Sequence, residues 1–389
     1  MEREPLKMED FVFLSIEDLV NCIKDHSASR TITLPEISVK EKFEEFVEKE
    51  TSARRDNSTI SQMRKLHNFV KQTLFENITG MIKSPVNCLD IAVGRGGDMW
   101  KWNSAGIVNV FGFDRSSESI KSINPFNQGA EERYLVNRSK LKVAITYTVG
   151  DAVGPQSDII QQIEAYKTAK KITGFELLSC QFAMHYFFRS PETLGLLFTR
   201  FSPLVKRGGY FMGTCVDGAK IKRLLGESHE YTSDILRIHK LKQKNSLYGS
   251  AYTFEILDQY DKGNYFNSMG VSTEYLVDVP ELVKVAGLHG FKPVFLNFFE
   301  RVIGKNEFTR LDYIKSRPLT FLNFEEIYPG YLVLMEKLTI EKLELKIKKK
   351  RLKREDFQTE FEKEMKKILL TPEQEVINGL YTTFIFIKT

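Results

Sequence analysis

The sequence predicts an α/β fold on a doubly wound, mostly parallel sheet, and three observations carry that expectation. Residues 86–91 read as a strand, Ala92-Val93-Gly94-Arg95-Gly96-Gly97 as a tight turn, and 98–104 as a helix. Residues 108–113 read as the next strand, with an acid, Asp114, at its tip. Strands at 143–148, 175–181 and 208–215 then alternate with helices at 117–123, 157–170 and 191–205, and Gly208-Gly209 reads as the turn into the last strand.

The glycine turn and the acid belong together. Without side chains, a glycine turn lets a ligand approach the backbone closely. An acid at the tip of the following strand can hold both hydroxyls of a ribose. The pair describes a nucleoside pocket at the carboxyl edge of the sheet. A dinucleotide site would show G-x-G-x-x-G and a helix N-terminus aimed at a pyrophosphate. Here the turn is A-x-G-x-G-G, led by Asp90 and closed by Asp98. Acids on both sides repel phosphates but suit a ligand with an amino group and a sulfonium, as in S-adenosylmethionine. The plainer alternative is a tight turn between two solvated acids.

Composition narrows the class. With 389 residues, 42% of them hydrophobic, the chain can bury one large core or two ordinary ones. No apolar run approaches the roughly 20 residues that span a bilayer, and the charged start matches no signal peptide. Cys22, Cys88, Cys180 and Cys215 are scattered, which suits reduced thiols better than disulfides or zinc. A net charge of +5 permits a polyanionic partner without requiring one.

Before the sheet, residues 1–55 read as an appended segment, with a strand at 11–14, a helix capped by Ser15 and a charged helix at 41–55. Residues 61–82 carry Leu66, Phe69, Val70, Leu74, Phe75 and Ile78 at helical spacing. A second part begins near Ser246, with a strand at 252–256, a helix at 274–287 and closing strands at 291–299 and 380–387. Residues 340–370 read as a long charged helical stretch containing Lys348-Lys349-Lys350-Arg351-Leu352-Lys353-Arg354. Two readings of that run stay open: a solvated helix face, or a contact with RNA phosphates.

Two more segments fall at the sheet's carboxyl edge. Asp151, after the third strand, reads either as an acceptor for an adenine amino group or as a helix N-cap. Ser179-Cys180-Gln181-Phe182-Ala183-Met184-His185-Tyr186 ends the fourth strand, where α/β enzymes place their sites. A buried Gln181 there needs partners, since an unpaired buried polar group costs about 1–3 kcal/mol.

Together these segments resemble the messenger RNA cap (guanine-N7) methyltransferases. That family pairs a D-L-G-C-G-x-G-G-D-L-x-K-W turn with S-C-Q-F-x-x-H-Y and G-G-Y-F-x-G-T, matched here from Asp90 to Trp102, from Ser179 to Tyr186 and from Gly208 to Thr214. The helix around Met63-Arg64-Lys65-Leu66-His67-Asn68-Phe69-Val70-Lys71 is similar to the family's L-R-N-F-N-N-W-x-K. The resemblance implies a Rossmann-like class I S-adenosylmethionine-dependent methyltransferase with a mostly parallel seven-stranded sheet. One catalytic domain would span 56–389, with 246–389 forming the cap-binding side and 340–370 a basic helical insertion.

The resemblance also implies roles. Asn68, Lys71 and Gln181 reach the methionine side of the cofactor; Asp90, Gly94 and Asp98 line its amino-acid end. Asp114 takes its ribose, Asp151 its adenine, and Tyr186 stands between cofactor and guanine. His185, Tyr186 and Glu274 position the guanine, with Glu281 as a second choice for Glu274; Tyr381 packs near the base. Arg95 and Lys101 meet the cap phosphates. No acid–base residue and no metal are implied. Expected partners are capped RNA (a GpppN 5′ end), other capping-enzyme domains or a stimulatory subunit, and no membrane. Ala92, Val93 and Phe69 depart from the family's Gly, Cys and Trp, in the manner of a divergent, viral member cut from a longer capping enzyme. The expected location is the cytoplasm, a virion or virus factory for a viral protein, and the nucleus for a cellular one. Two rivals remain: a methyltransferase for another substrate, and a non-catalytic RNA-binding subunit that would have lost the cofactor acids.

Overall fold

The computed structural model describes residues 58–124, 128–242, 246–257, 272–294 and 321–389, all within one compact unit. The segment 1–55 with Cys22, and the expected strand residues 295–299, lie outside the described residues. Strands β1 (Asn87–Ile91), β2 (Asn109–Asp114), β3 (Ala144–Val149), β4 (Phe175–Gln181) and β5 (Val205–Val216) run parallel. With β10 (Phe291–Pro293) and β11 (Tyr381–Lys388) they form one sheet in the order β10-β11-β5-β4-β1-β2-β3. β11 is antiparallel to both neighbours. The sheet is the expected mostly parallel, seven-stranded one. β1 pairs with β2 on one side and β4 on the other, so the winding direction reverses beside it. That reversal opens a crevice at the carboxyl ends of β1 and β4.

Apolar faces place the helices. α5 (Ile159–Lys170), α6 (Pro191–Phe201) and α8 (Val279–Leu288) bury Ile159, Ile163, Leu194, Leu197, Phe198 and Leu282 in one cluster with Phe111, Phe113, Leu178 and Phe211 of the sheet. α1 (Ser61–Met81) buries Leu66, Phe69, Val70, Leu74 and Phe75, the periodicity read from the sequence, and packs on β5 and α2 (Met99–Ser104). Cys88, Cys180 and Cys215 are free and buried.

Several details differ from expectation. β5 begins at Val205, and Gly208-Gly209 lies inside it as a bulge, because Leu177 pairs with Tyr210 while Phe175 pairs with Val205. α4 (Ala130–Asn137) was not expected; of its side chains only Ala130 is buried, so the sequence shows no apolar stripe. A second, antiparallel sheet runs β6 (Glu230–Thr232), β7 (Leu236–Lys242), β8 (Ala251–Ile256), β9 (Ser272–Tyr275). Glu274 therefore sits on β9, and the helix expected at 274–287 starts only at Val279, where Asp278 caps it. The stretch 340–370 is two helices, α9 (Phe324–Lys348) and α10 (Phe357–Lys366), and the basic run forms their connection. The reading of that run as a helix face is thus replaced by a turn. Among the described residues, no helix is long and apolar enough to cross a membrane.

Candidate active site

The glycine turn is held open by backbone geometry. Gly94 and Gly96 both take positive φ, and a Cβ on Gly94 would meet nothing within 4 Å, so its face is open. At Gly96 a Cβ would lie 2.5 Å from the Tyr147 hydroxyl, so this position admits no side chain. Asp114, at the tip of β2, ties the turn down by accepting from Gly94 N (2.9 Å) and Ser116 N (2.8 Å). Burial raises the Asp114 pKa, and those two N–H donors oppose the rise. Ala92 also takes a positive φ of 57°, the conformation that explains glycine at the matching family position. Left-handed strain of about 1–2 kcal/mol exceeds glycine's entropic cost of about 0.5–1 kcal/mol. Ala92→Gly is therefore expected to raise the thermal midpoint by about 1–2 °C, read by calorimetry.

Asp90 is 2% exposed on β1, and its Oδ1 has no hydrogen-bond partner among the described residues. Burial first, and the neighbouring Asp98 second, push its pKa up to about 8. Asp98 behaves oppositely. Burial would raise it, but Lys71 (2.6 Å) and Lys101 (3.1 Å) outweigh that and hold it near 2. Asp98 is the N-cap residue of α2, yet its side chain makes no capping bond, because these lysines take it. The acids flanking the turn are thus buried, not solvated. Lys71 also lies 5.5 Å from the Phe182 ring, and Asn68 is half-buried one turn earlier on α1. Asp151 accepts from Val153 N and Gly154 N, capping its own turn; the N-cap of α5 is Asp158. The helix-cap reading of Asp151 is thereby corrected to a loop cap.

Gln181 finds its expected partners: it donates to Ser179 Oγ (3.2 Å) and accepts from Thr214 Oγ1 (3.1 Å). Phe182 follows at positive φ (54°), held by Thr214 through both carbonyl and hydroxyl. Such a strained aromatic turns the chain sharply from β4 into the 3₁₀ turn Met184–Arg189. His185 and Tyr186 sit on that turn, their rings edge to face at 4.2 Å.

Across from them stands β9. Glu274 Oε1 is 3.6 Å from His185 Nε2, and Tyr252 of β8 donates to Glu274 Oε2 at 2.9 Å. Among the described residues, neither ring nitrogen of His185 has a hydrogen-bond partner. Burial lowers His185 to about 3 and raises Glu274 to about 8. Tyr186, 37% exposed, bonds Ser272 through its hydroxyl (3.1 Å), and the Arg115 guanidinium lies 6.0 Å from its ring. Glu281 is elsewhere: it accepts from Tyr248 and pairs with Lys284, while Glu274 faces His185. Tyr381 is buried where β11 begins, ringed by His67 (5.0 Å), Phe182 (5.1 Å) and Phe254 (6.2 Å).

Of the two bases expected at the cap phosphates, Lys101 is 4% exposed and pairs with Asp98. Arg95 is turned to Glu118 (2.7 Å) and the Gln128 carbonyl. Sequence reading missed Arg115 and Tyr252. Arg115 immediately follows the acid at the tip of β2, a position that gives the signal. Tyr252 shows itself only through its register with Glu274 across β8 and β9. Among the described residues, no group of three His, Cys, Asp or Glu side chains could hold a metal.

A sheet of this order, with an acid-flanked glycine turn at its switch point, defines a Rossmann-like S-adenosylmethionine-dependent methyltransferase. The model of the mRNA (guanine-N(7))-methyltransferase domain family matches residues 28–389, and the chain belongs to that family. It is similar to mRNA cap guanine-N(7) methyltransferase 1 of Arabidopsis thaliana, 28% identical over 275 residues, covering 65% of this chain and 70% of the relative. The Saccharomyces cerevisiae mRNA cap guanine-N(7) methyltransferase is 27% identical over 322 residues, covering 78% and 68%. That of Drosophila melanogaster is 26% identical over 250 residues, covering 61% and 55%.

Proposed function

We propose that the chain transfers a methyl group from S-adenosylmethionine to N7 of the terminal guanine of capped mRNA. The cofactor supplies an electrophilic methyl group, and guanine N7 carries a free lone pair at neutral pH, so no general base is needed. The residues of this chain then work by placement. The unpartnered Asp90 Oδ1, the open face of Gly94 and the Asp114 carboxylate fit the amino group, backbone approach and ribose of the cofactor. Asn68, Lys71 and Gln181 lie towards its methionine side, with Asp98 holding Lys71, and Asp151 stands by its adenine.

Glu274 is the observation that carries the reading. A buried carboxyl beside a neutral, unbonded histidine is costly unless a ligand with N–H donors completes it. The Watson–Crick edge of guanine offers two such donors, N1–H and the exocyclic amine. Ionised Glu274 also favours the positive charge that arises on the base as N7 is methylated. Tyr186 and Tyr381 flank the base, and Arg115, 6.0 Å from the Tyr186 ring, joins Arg95 and Lys101 as a cation for the cap phosphates. A methyltransferase for a small molecule would keep Asp90 and Asp114 without needing Glu274 between His185 and Tyr252. The deciding assay offers labelled S-adenosylmethionine and GpppA-capped RNA, then digests the RNA. Label on N7 of the cap guanine is expected; label elsewhere, or none, sinks the proposal.

A further inference from the structure

The cap site leaves the basic run unused. Lys348, Lys349, Lys350, Arg351, Lys353 and Arg354 are all exposed at the turn between α9 and α10. Among the described residues, only Lys353 of these six has an acid partner, Glu355 at 3.1 Å, whereas Lys342, Lys363 and Lys367 farther down the hairpin are each paired with Glu364 or Glu360. A helix C-terminus attracts one or two cations to its last turn, which leaves most of the cluster unexplained.

The backbone adds a second, independent observation. Arg351 N bonds the Lys346 carbonyl and Lys350 N bonds the Ile347 carbonyl, a Schellman ending with Lys350 at φ 54°. That position favours glycine, and the chain places a lysine there against the backbone's preference.

Distance says what the charge is for. α9 begins at Phe324, whose ring packs on His67, Phe182 and Tyr381 in the wall of the cap site. Its 25 residues carry the tip roughly 36 Å away. A cap dinucleotide held at Glu274 cannot reach that far. A transcript can, over on the order of ten nucleotides at about 3.4 Å per phosphate along one strand.

We propose that the α9–α10 tip binds the phosphate backbone of the RNA body downstream of the cap. This rests on the capped-RNA reading of the site, and the test separates the two. Affinities of the full chain for GpppA, a GpppA-capped 25-mer and the uncapped 25-mer are measured by anisotropy across a salt series. The parent is compared with the variant Lys348→Glu/Lys349→Glu/Lys350→Glu/Arg351→Glu. The parent is expected to bind the capped 25-mer at least about tenfold tighter than GpppA in dilute salt, and the variant to lose that advantage. The salt slope is expected to fall by about 3 while GpppA affinity stays within about twofold. An advantage that survives charge reversal, or is absent in the parent, overturns the proposal and leaves the tip as a surface for a protein partner. Absent GpppA binding with intact 25-mer binding would instead overturn the cap reading alone. Lys350→Gly gives a second readout: the thermal midpoint should rise by about 1 °C while 25-mer affinity falls about two- to threefold. A merely structural lysine would not move the two in opposite directions.

Discussion

Glu274→Gln is expected to cut kcat/KM for capped RNA by about 10²–10³ while leaving the Kd for S-adenosylmethionine unchanged. The amide keeps one acceptor but turns a donor NH₂ towards the donor edge of guanine. Loss of one partner of a buried, charge-assisted contact costs about 2–5 kcal/mol, which sets that range. The pH profile identifies the cause. Glu274 is held at about 8, so at pH 7 the free protein carries it mostly protonated, and kcat/KM for the cap rises as pH passes about 8. In the Gln variant that rise disappears. Stability moves the other way. Below pH 4.5 both folded and unfolded chains carry the proton, and stability is complete. Between there and about 8 only the unfolded chain releases it, so stability falls as pH rises and levels off above. The Gln variant is spared this loss and should melt higher than the parent at pH 8, while Asp90, also raised to about 8, leaves some pH dependence behind. Tyr252→Phe frees Glu274 Oε2 and should raise the KM for capped RNA about tenfold with little change in kcat. An unchanged cap KM in both variants would remove Glu274 from guanine recognition.

Gly213→Ala is expected to destabilise the fold by more than about 3 kcal/mol, the largest single effect on stability. Gly213 pairs with Cys180 on β4 and Phe384 on β11. An added methyl would run into the Cys180 carbonyl and lie 2.5 Å from the Phe384 ring. Neither can yield, because one is backbone in a central strand and the other is a core side chain. The displacement would reach Gln181 and Thr214, one residue further along. A matched control is Gly195→Ala on α6, where a new Cβ meets nothing within 4 Å. There the change should stabilise by about 0.5–1 kcal/mol. Denaturant melts of both variants test the pair; equal midpoints would show that β5 accommodates the methyl.

Legibility followed the physical signal. β1 to β4 lie within a residue of the stretches read from apolar runs, because buried parallel strands are continuous in hydrophobicity. The cofactor turn was legible because glycines at positive φ and an acid at a strand tip are local requirements. The guanine side was harder. Leu236 and Ile238 alternate with Arg237 and His239, as a strand with one solvated face should, but Lys240 breaks the pattern. The break is real: the β7–β8 ladder shifts register between Lys240 and Lys242. The fates of Lys101 and Arg95 could not be read, since a basic residue beside a turn looks the same whether it faces solvent or a buried aspartate. Likewise the run 348–354 kept helical composition, and only the Lys350 backbone shows where the helix stops.

β11 lies between β5 and β10, although it follows every other described strand in the sequence. During synthesis β5 therefore keeps a bare edge until residue 388 has left the ribosome. The helix bearing Asn68 and Lys71 waits as well: His67 bonds Asn378, and Gln374 bonds the Thr59 carbonyl, both from α11 (Pro372–Gly379). A nascent chain can thus fold neither pocket early. Completion of the cofactor side therefore waits for β11, and a ribosome stalled before it holds a polypeptide with an exposed strand edge on β5.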